Sequence, residues 1–127
     1  MAINIKLHTW IRTVLLSGAA LLWMPAVLAH AFPEEMQPGA GAKLHTPPRQ
    51  VRISFDSRVE QEFSLIVVKD AGGERISGRT ELDPVSHKTL EVSLPELAPG
   101  EYHVYWNVVS WDGHRTKGDY VFHVDPH

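Results

Sequence analysis

The strongest constraint on the fold is a pair of alternating segments near the end of the chain, residues 102–108 and 120–124, with a short polar stretch between them. Apolar and aromatic residues occupy every second position of both segments. They are Tyr102, Val104, Trp106, Val108, Tyr120, Phe122 and Val124. Because successive side chains of a β-strand point to opposite faces, this spacing predicts two strands that each bury one face. The stretch between them is expected to turn the chain and join the strands as a hairpin.

The same period-two pattern recurs earlier in the chain, without a convincing amphipathic helix. Residues 51–55 and 90–94 alternate in the same way, whereas residues 63–69 are more continuously apolar, which predicts a central strand covered on both faces. An edge-like segment at 74–77 and an extended piece near 32–36 bring the count to about seven strands. The pattern predicts an all-β fold, a seven-stranded antiparallel Greek-key sandwich or barrel of immunoglobulin-like size.

Asp112, Gly113 and His114 lie at the centre of the predicted hairpin. Residues i and i+2 of an extended chain point to the same side, and the glycine lets the backbone bend between them. The Asp112 carboxylate and the His114 imidazole can therefore converge on one point as metal ligands. Asp and Gly also favour turns for conformational reasons alone, so a plain turn is the alternative interpretation. A metal site needs a further ligand, for which His30 is the candidate.

The first 29 residues have the features of a secretory signal peptide. They contain two cationic side chains and no acidic one, and an apolar run covers residues 14–24. That run is too short for a membrane anchor, which needs about 20 consecutive apolar residues. Cleavage after Ala29 would make His30 the new N-terminus, whereas cleavage after Ala31 would remove it. Sequence rules for signal peptides do not decide between these two bonds.

The predicted mature domain, residues 30–127, has no cysteine and is mildly acidic. Removal of the two signal-peptide cations leaves ten basic side chains against fifteen acidic ones, a net charge of −5 with histidines neutral. Such a domain is a poor candidate for nucleic-acid binding, but its charge does not oppose a cation. Without disulfides the fold has to be held by packing alone. We expect a soluble, monomeric exported protein without stable membrane insertion.

Cleavage before His30 would create a chelating residue, because the free amine and the ring Nδ1 of an N-terminal histidine close a six-membered ring on one metal ion. The imidazole of His114 would complete three nitrogen donors, and the Asp112 carboxylate would supply an oxygen in the fourth position. This donor set in a tetragonal plane suits Cu(II), whereas zinc would accept it as a tetrahedron. No thiolate is available, and Met36 is the only methionine after residue 29. The prediction is one Cu(II) per chain and no soft site for Cu(I).

Residues 30–127 also resemble the CopC family of periplasmic copper-resistance proteins over nearly their whole length. The matching stretches are 30–32, 38–44, 51–55, 97–106 and 109–122. The most specific part is Pro-Gly-x-Tyr-x-Val-x-Trp, followed by Ser-x-Asp-Gly-His and, after three residues, a glycine. The resemblance implies a cupredoxin-like Greek-key sandwich or barrel and cleavage after Ala29. It also implies that His30, Asp112 and His114 hold Cu(II), which the protein sequesters or carries without catalysing a reaction.

Two features depart from the family pattern. Some relatives have a methionine-rich loop that binds Cu(I), whereas residues 70–83 here contain no methionine, which favours a single-site, Cu(II)-only form. Many relatives read Phe-Ser-Glu where this chain has Phe55-Asp56-Ser57. Asp56 or Glu60 could replace that acid as an acceptor that orients the ligands. The family further implies a separate inner-membrane copper transporter of the CopD type as a partner.

Two more histidines offer a secondary metal site, and one tryptophan has an open role. If the hairpin is centred on Gly113, His103 faces His123 across the last two strands, and cross-strand neighbours are close enough to share a metal. Trp111 precedes the ligand Asp112, where it either shields the site or simply packs.

Two other function classes remain open from the sequence. Copper-dependent polysaccharide oxygenases also use an N-terminal histidine brace, but residues 30–127 are short for such an enzyme and show no evident flat aromatic surface. A carboxylate in the copper plane would also leave no open position there for oxygen. The second alternative is a metal-free sandwich that serves as an adhesion or scaffold module, which predicts that no copper is retained.

Overall fold

The computed structural model describes residues 30–126, so the predicted signal peptide, the bond between Ala29 and His30, and His127 lie outside the described residues. Eight β-strands and one short 3₁₀ helix follow one another in this part of the chain. The strands are β1 (Pro33–Gln37), β2 (Lys43–Leu44), β3 (Gln50–Phe55), β4 (Leu65–Lys69), β5 (Glu81–Leu82), β6 (Thr89–Ser93), β7 (Gly100–Val109) and β8 (Arg115–Val124); the helix, η1, spans Gln61–Phe63. No helix within residues 30–126 has the length and apolar character that crossing a membrane requires.

The strands form two four-stranded sheets, with the orders β1-β3-β6-β5 and β2-β8-β7-β4. This arrangement confirms the predicted all-β sandwich. The count is eight rather than seven. β2 and β5 have only two residues each, too few for alternation to be visible in the sequence. The segment 74–77, predicted as a strand, forms only an isolated bridge between Arg75 and Lys69. β2 pairs with β8 in parallel, through Lys43 opposite His123 and Leu44 opposite Val124. The expectation of a wholly antiparallel fold was therefore wrong at this one pairing.

A single core fills the space between the two sheets. The alternating positions of β3, β6, β7 and β8 supply most of it, and Val51, Ile53, Val104, Val108 and Phe122 are completely buried. Burying a side chain of this size stabilises a fold by about 1.5–3 kcal/mol. A core of this kind can hold a domain of this length without disulfides.

Trp106 is partly buried at the edge of the core, opposite Gly118 of β8. A Cβ added to Gly118 would lie 2.6 Å from a carbon of the indole ring, so the glycine leaves the space that this ring occupies. The ring also contacts Phe55 edge-on, with 5.8 Å between the ring centroids. The glycine that follows the Asp-Gly-His motif thus serves packing between the two longest strands.

The β7–β8 hairpin has a different register from the one predicted. His103 lies opposite Val121, and Glu101 lies opposite His123, so the direct pairing of His103 with His123 was wrong. The predicted centre was Gly113, but Val109 pairs with Arg115, which centres the hairpin on Asp112. Because this shift of two positions preserves the side-chain period of two, all the predicted core residues still face inward.

The apolar segment at 63–69 is also placed differently from the prediction of a central strand. β4 is the last strand in its sheet, next to β7, and Phe63 belongs to η1. Phe63 is 60% exposed and Leu65 44% exposed, which excludes a strand covered on both faces. The neighbouring segment 74–77 covers part of the β4 edge, where the amide of Ile76 donates to the carbonyl of Val68 at 2.9 Å.

Candidate metal centre

The turn after β7 holds Asp112 and His114 through a compact set of hydrogen bonds. The Ser110 hydroxyl donates to Asp112 Oδ1, and the backbone amide of His114 donates to the same oxygen at 3.2 Å. The amide of Ser110 donates to the carbonyl of His114 at 2.9 Å, and that of Gly113 to the carbonyl of Ser110 at 2.8 Å. Gly113 has φ of 90°, a left-handed conformation that glycine adopts without steric cost. The predicted turn is thus also a scaffold for both side chains.

The same contacts keep Asp112 ionised. The hydrogen bond from Ser110 is the main reason that the pKa of Asp112 falls from 3.8 to about 2; partial burial opposes this, and the backbone amide and ring of His114 lower the pKa further. Hydrogen bonds to the charged form of a carboxylate favour that form. With a pKa of about 2, Asp112 is a carboxylate at neutral pH.

His114 presents a nitrogen toward Asp112 without forming a regular hydrogen bond to it. The distance from His114 Nδ1 to Asp112 Oδ2 is 3.1 Å, and this buried nitrogen has no hydrogen-bond partner among the described residues. Donors at about 2.0–2.2 Å from one metal ion lie roughly 3 Å apart when their bonds are at right angles. The two side chains therefore fit adjacent positions around one ion.

His30 lies beside His114, although most of the domain separates them in sequence. The centroids of their rings are 4.9 Å apart, with an angle of 59° between the ring planes. Phe32 flanks His30 on the same segment, at 5.8 Å between centroids. The structure thus brings the three predicted ligands, His30, Asp112 and His114, to one end of the sandwich.

Core packing and three hydrogen bonds fasten the segment that carries His30. Ala31 is completely buried in the core, and its carbonyl accepts a hydrogen bond from the Thr116 hydroxyl at 2.6 Å. The amide of Phe32 donates to Asp56 Oδ1 at 2.9 Å, and the amide of Asp56 donates back to the carbonyl of Phe32 at 2.9 Å. Because both residues that follow His30 are tied to the sandwich, its backbone nitrogen and ring have a defined position.

The residues predicted to orient or shield the metal ligands make other contacts in the structure. Asp56 contacts the backbone of the N-terminal segment rather than a ligand ring. Glu60 bonds through its backbone amide, which donates to the carbonyl of Val109 at 2.8 Å. Trp111 is 64% exposed, and its amide donates to the carbonyl of Arg58 at 3.0 Å. Packing in the core is thus excluded for its indole ring.

Sequence reasoning missed two residues that organise this end of the sandwich, Ser110 and Thr116. Both continue the core-facing alternation of β7 and β8, and Ser110 is completely buried. A hydroxyl at a core-facing position has to find a hydrogen-bond partner. That requirement is the signal that could have identified them. The partners of Ser110 are Asp112 and His114, within four positions of it. The partner of Thr116 is Ala31, on the N-terminal segment, which only the folded chain brings near.

The donor set is incomplete as long as only side chains are counted. Within residues 30–126, no three histidine, cysteine or acidic side chains already converge as a metal-ligand group. The His30 and His114 rings and the Asp112 carboxylate supply two nitrogens and one oxygen in adjacent pairs. The fourth donor predicted from the sequence is the backbone nitrogen of His30, which would become an amine ligand only if the chain began there.

Comparison with known sequences identifies relatives over most of the chain. Protein YobA of Escherichia coli is 39% identical over 105 residues, covering 79% of this chain and 82% of YobA. Copper transport protein CutJ of Bacillus subtilis is 34% identical over 107 residues, or 82% of this chain. That match spans only 20% of CutJ, so this chain corresponds to about a fifth of the length of that protein.

Solved structures give the same relationship. CopC from Methylosinus trichosporium OB3b superposes with a TM-score of 0.73 at 34% identity, covering 77% of this chain and 96% of that one. The methionine-rich copper resistance protein PcoC of Escherichia coli superposes with a TM-score of 0.68 at 22% identity, covering 76% of this chain and all of PcoC, a likeness of fold. Residues 33–125 match the CopC domain. The chain therefore belongs to the CopC domain family.

Proposed function

We propose that this protein is exported to the periplasm and there binds Cu(II), which it sequesters or carries in copper resistance and homeostasis. The ligands are the amine and the imidazole of His30, the imidazole of His114 and the carboxylate of Asp112, with one Cu(II) per chain at this site. The observation that carries the proposal is the 4.9 Å separation of the His30 and His114 rings beside the Asp112 carboxylate.

Cleavage after Ala29, rather than after Ala31, is part of the proposal. The burial of Ala31 and the hydrogen bond that its carbonyl accepts from Thr116 support it, because a chain beginning at Phe32 would lose both. A mature chain that starts at His30 keeps the segment fastened and frees the amine beside His114. The protease would then complete the copper site on a domain that already holds the other ligands.

The oxidation state follows from the donors. Imidazole, amine and carboxylate suit Cu(II), whereas Cu(I) prefers thiolate and thioether sulfur. Asp112, with its pKa near 2, contributes a negative charge that favours the divalent ion. Met36 lies in β1 as the only methionine after residue 29, so the chain offers no cluster of thioethers.

The role is binding and transfer, and the copper is cargo rather than the cofactor of a reaction. The CutJ relative is named a copper transport protein and is about five times longer over its whole length than the matched region. The name of CutJ supports a role in copper transfer, and we propose an inner-membrane transporter of the CopD type as the partner that exchanges copper with this protein. We expect the mature chain to act as a monomer.

Intact mass spectrometry of the exported protein, with and without Cu(II), tests the proposal in one measurement. The expected species starts at His30 and gains one copper. A mature chain that starts at Phe32 would refute the proposed ligand set, and a chain from His30 that retains no copper after gel filtration would favour a metal-free module. Reductant-dependent oxidation of a polysaccharide by the copper-loaded protein would contradict the binding-only role.

A further inference from the structure

A second group of imidazoles and carboxylates lies on the outer face of the β7–β8 hairpin. His103 Nε2 is 2.5 Å from Asp119 Oδ2, and His123 Nε2 is 3.0 Å from Glu101 Oε2. We call these four residues the outer-face histidine cluster. Their side chains are between 34% and 57% exposed, so solvent and ions have access to every member.

We propose that the outer-face histidine cluster binds one divalent transition-metal ion between His103 and His123. The observed register makes these two residues diagonal neighbours, because His103 lies opposite Val121 and His123 lies opposite Glu101. Diagonal neighbours have Cβ atoms about 7–8 Å apart or slightly less, which is within reach of long side chains. Two imidazoles at that spacing can bind one ion from opposite sides.

The donors are of the right kind for such an ion. Two imidazoles and two carboxylates form the nitrogen and oxygen set that Zn(II) takes as a tetrahedron and Cu(II) in a plane. Each imidazole contacts one carboxylate of the cluster, and no three of the groups converge within residues 30–126. Binding therefore requires rotation of exposed side chains, whereas the two strands already have the necessary register.

The surroundings of the cluster should make its metal affinity lower than that of the candidate metal centre. Tyr105 contacts the second nitrogen of His103 through its hydroxyl, at 3.0 Å, and stacks on the same ring. Lys69 lies opposite His103, and Lys43 lies opposite His123, so two ammonium groups balance the two carboxylates. We expect weaker binding than at a site with an ionised Asp112 and a chelating N-terminal residue.

The cluster is separate from the candidate metal centre. Val109 lies six positions after His103 in β7, which corresponds to roughly 20 Å along the strand. The two sites share no ligand, so occupation of one leaves the donors of the other free. The inferred role is a second, lower-affinity site that takes up metal once the first is filled.

Titration of a mature chain that carries His30→Gln and His114→Gln, first with Zn(II) alone and then with Cu(II) alone, isolates the cluster, because both imidazoles of the candidate metal centre are removed. We expect one equivalent to bind and the ring NMR signals of both His103 and His123 to respond to it. The matched test is the double substitution His103→Gln and His123→Gln in that background, which should lower the affinity at least about tenfold. The control His87→Gln, at an exposed histidine outside β7 and β8, should change the affinity by less than about twofold.

The outcomes separate the two sites. A response at both histidines with either metal supports the proposal, whereas an equivalent that survives the double substitution shows adventitious binding and overturns it. A response at only one of the two histidines overturns it as well. In the otherwise unaltered chain the double substitution should leave the first Cu(II) equivalent intact. If the proposed function is wrong, the unaltered mature chain itself will not bind that first Cu(II) equivalent.

Discussion

The two halves of the candidate metal centre are held in different ways. Asp112 and His114 sit within one turn, where hydrogen bonds from residues no more than two positions away fix the carboxylate. His30 has no comparable local support and depends on contacts with β8 and with the end of β3, through Thr116 and Asp56. The first half is built by local sequence and the second by tertiary structure.

This difference has a functional consequence. The turn supplies its two donors as soon as the hairpin forms, whether or not the chain has been processed. In the proposed site, the N-terminal half would contribute its imidazole through docking and its amine only after cleavage before His30. Copper affinity should therefore respond most strongly to changes at the N-terminus, less to the contacts that dock it, and least to residues around the turn that touch neither half.

The largest effect is expected from one additional residue before His30. A glycine placed there moves the amine out of the chelate ring while leaving the side chains unchanged. Loss of an outer-shell partner alone costs about 10- to 100-fold in metal affinity, so loss of a direct ligand should weaken Cu(II) binding by more than about 100-fold. Competition titration against a chelator measures it, and equal affinity of the extended and mature chains would contradict amine ligation.

The docking contacts should have an intermediate effect. Asp56→Ala removes the acceptor for the Phe32 amide, and Thr116→Val removes the donor to Ala31, so each frees the segment that positions His30. We expect Cu(II) affinity to fall about tenfold in each variant, with the fold retained by circular dichroism. Glu60→Ala is the matched control for Asp56→Ala. An equal loss of Cu(II) affinity in both variants would show that the effect comes from the lost negative charge and not from the lost hydrogen bond.

Ser110→Ala tests the half of the site that lies in the turn, and it should have a smaller effect on Cu(II) affinity. The substitution removes the main cause of the depressed Asp112 pKa, which should rise from about 2 toward 3.8. A carboxyl with a lowered folded-state pKa stabilises the fold above its ordinary pKa, and this contribution disappears as pH falls through about 2. The variant should therefore lose less stability on acidification between pH 4 and 2.

Two measurements check this variant. NMR titration of the Asp112 carboxyl in the metal-free protein reports the pKa directly. Cu(II) affinity at neutral pH should fall less than in the docking variants, because the His114 amide still bonds Asp112. A pKa that stays near 2 would show that Ser110 is not the group that stabilises the carboxylate.

Trp111→Ala should have the smallest effect of all. The side chain adjoins Asp112 in sequence but is 64% exposed, and exposed positions without special contacts change stability by about 0.5 kcal/mol or less. Chemical denaturation and Cu(II) titration should both match the unaltered chain. A marked loss of affinity with unchanged stability would assign the indole a shielding role at the copper site.

Much of the fold was predictable from the side-chain period. The alternation in β3, β6, β7 and β8 identified the strands and their buried faces, because a half-buried strand leaves that pattern whatever its partners are. The prediction for residues 63–69 was wrong, because the pattern of one strand does not report its neighbours in the sheet. Their apolar run matched a covered central strand, but Leu65 faces solvent at the edge of the sheet.

Part of the candidate site was predictable as well. Asp112 and His114 are two residues apart, so their convergence follows from local geometry. The pairing of His103 with His123 depended on the hairpin register, which the turn decides. A turn longer or shorter by two residues keeps every core side chain inward, so the hydrophobic pattern could not distinguish the observed register from the assumed one.

The sequence by itself determined the strands, the buried faces and the kinds of donor that are present. Only the tertiary structure decided that His30 lies beside His114 and that Thr116 and Asp56 hold the segment that carries His30. The physical reason is the distance along the chain over which each effect acts. Alternation and turn preference act between residues a few positions apart, whereas the neighbours of an N-terminal segment are chosen by how two sheets pack, and that packing depends on the whole chain.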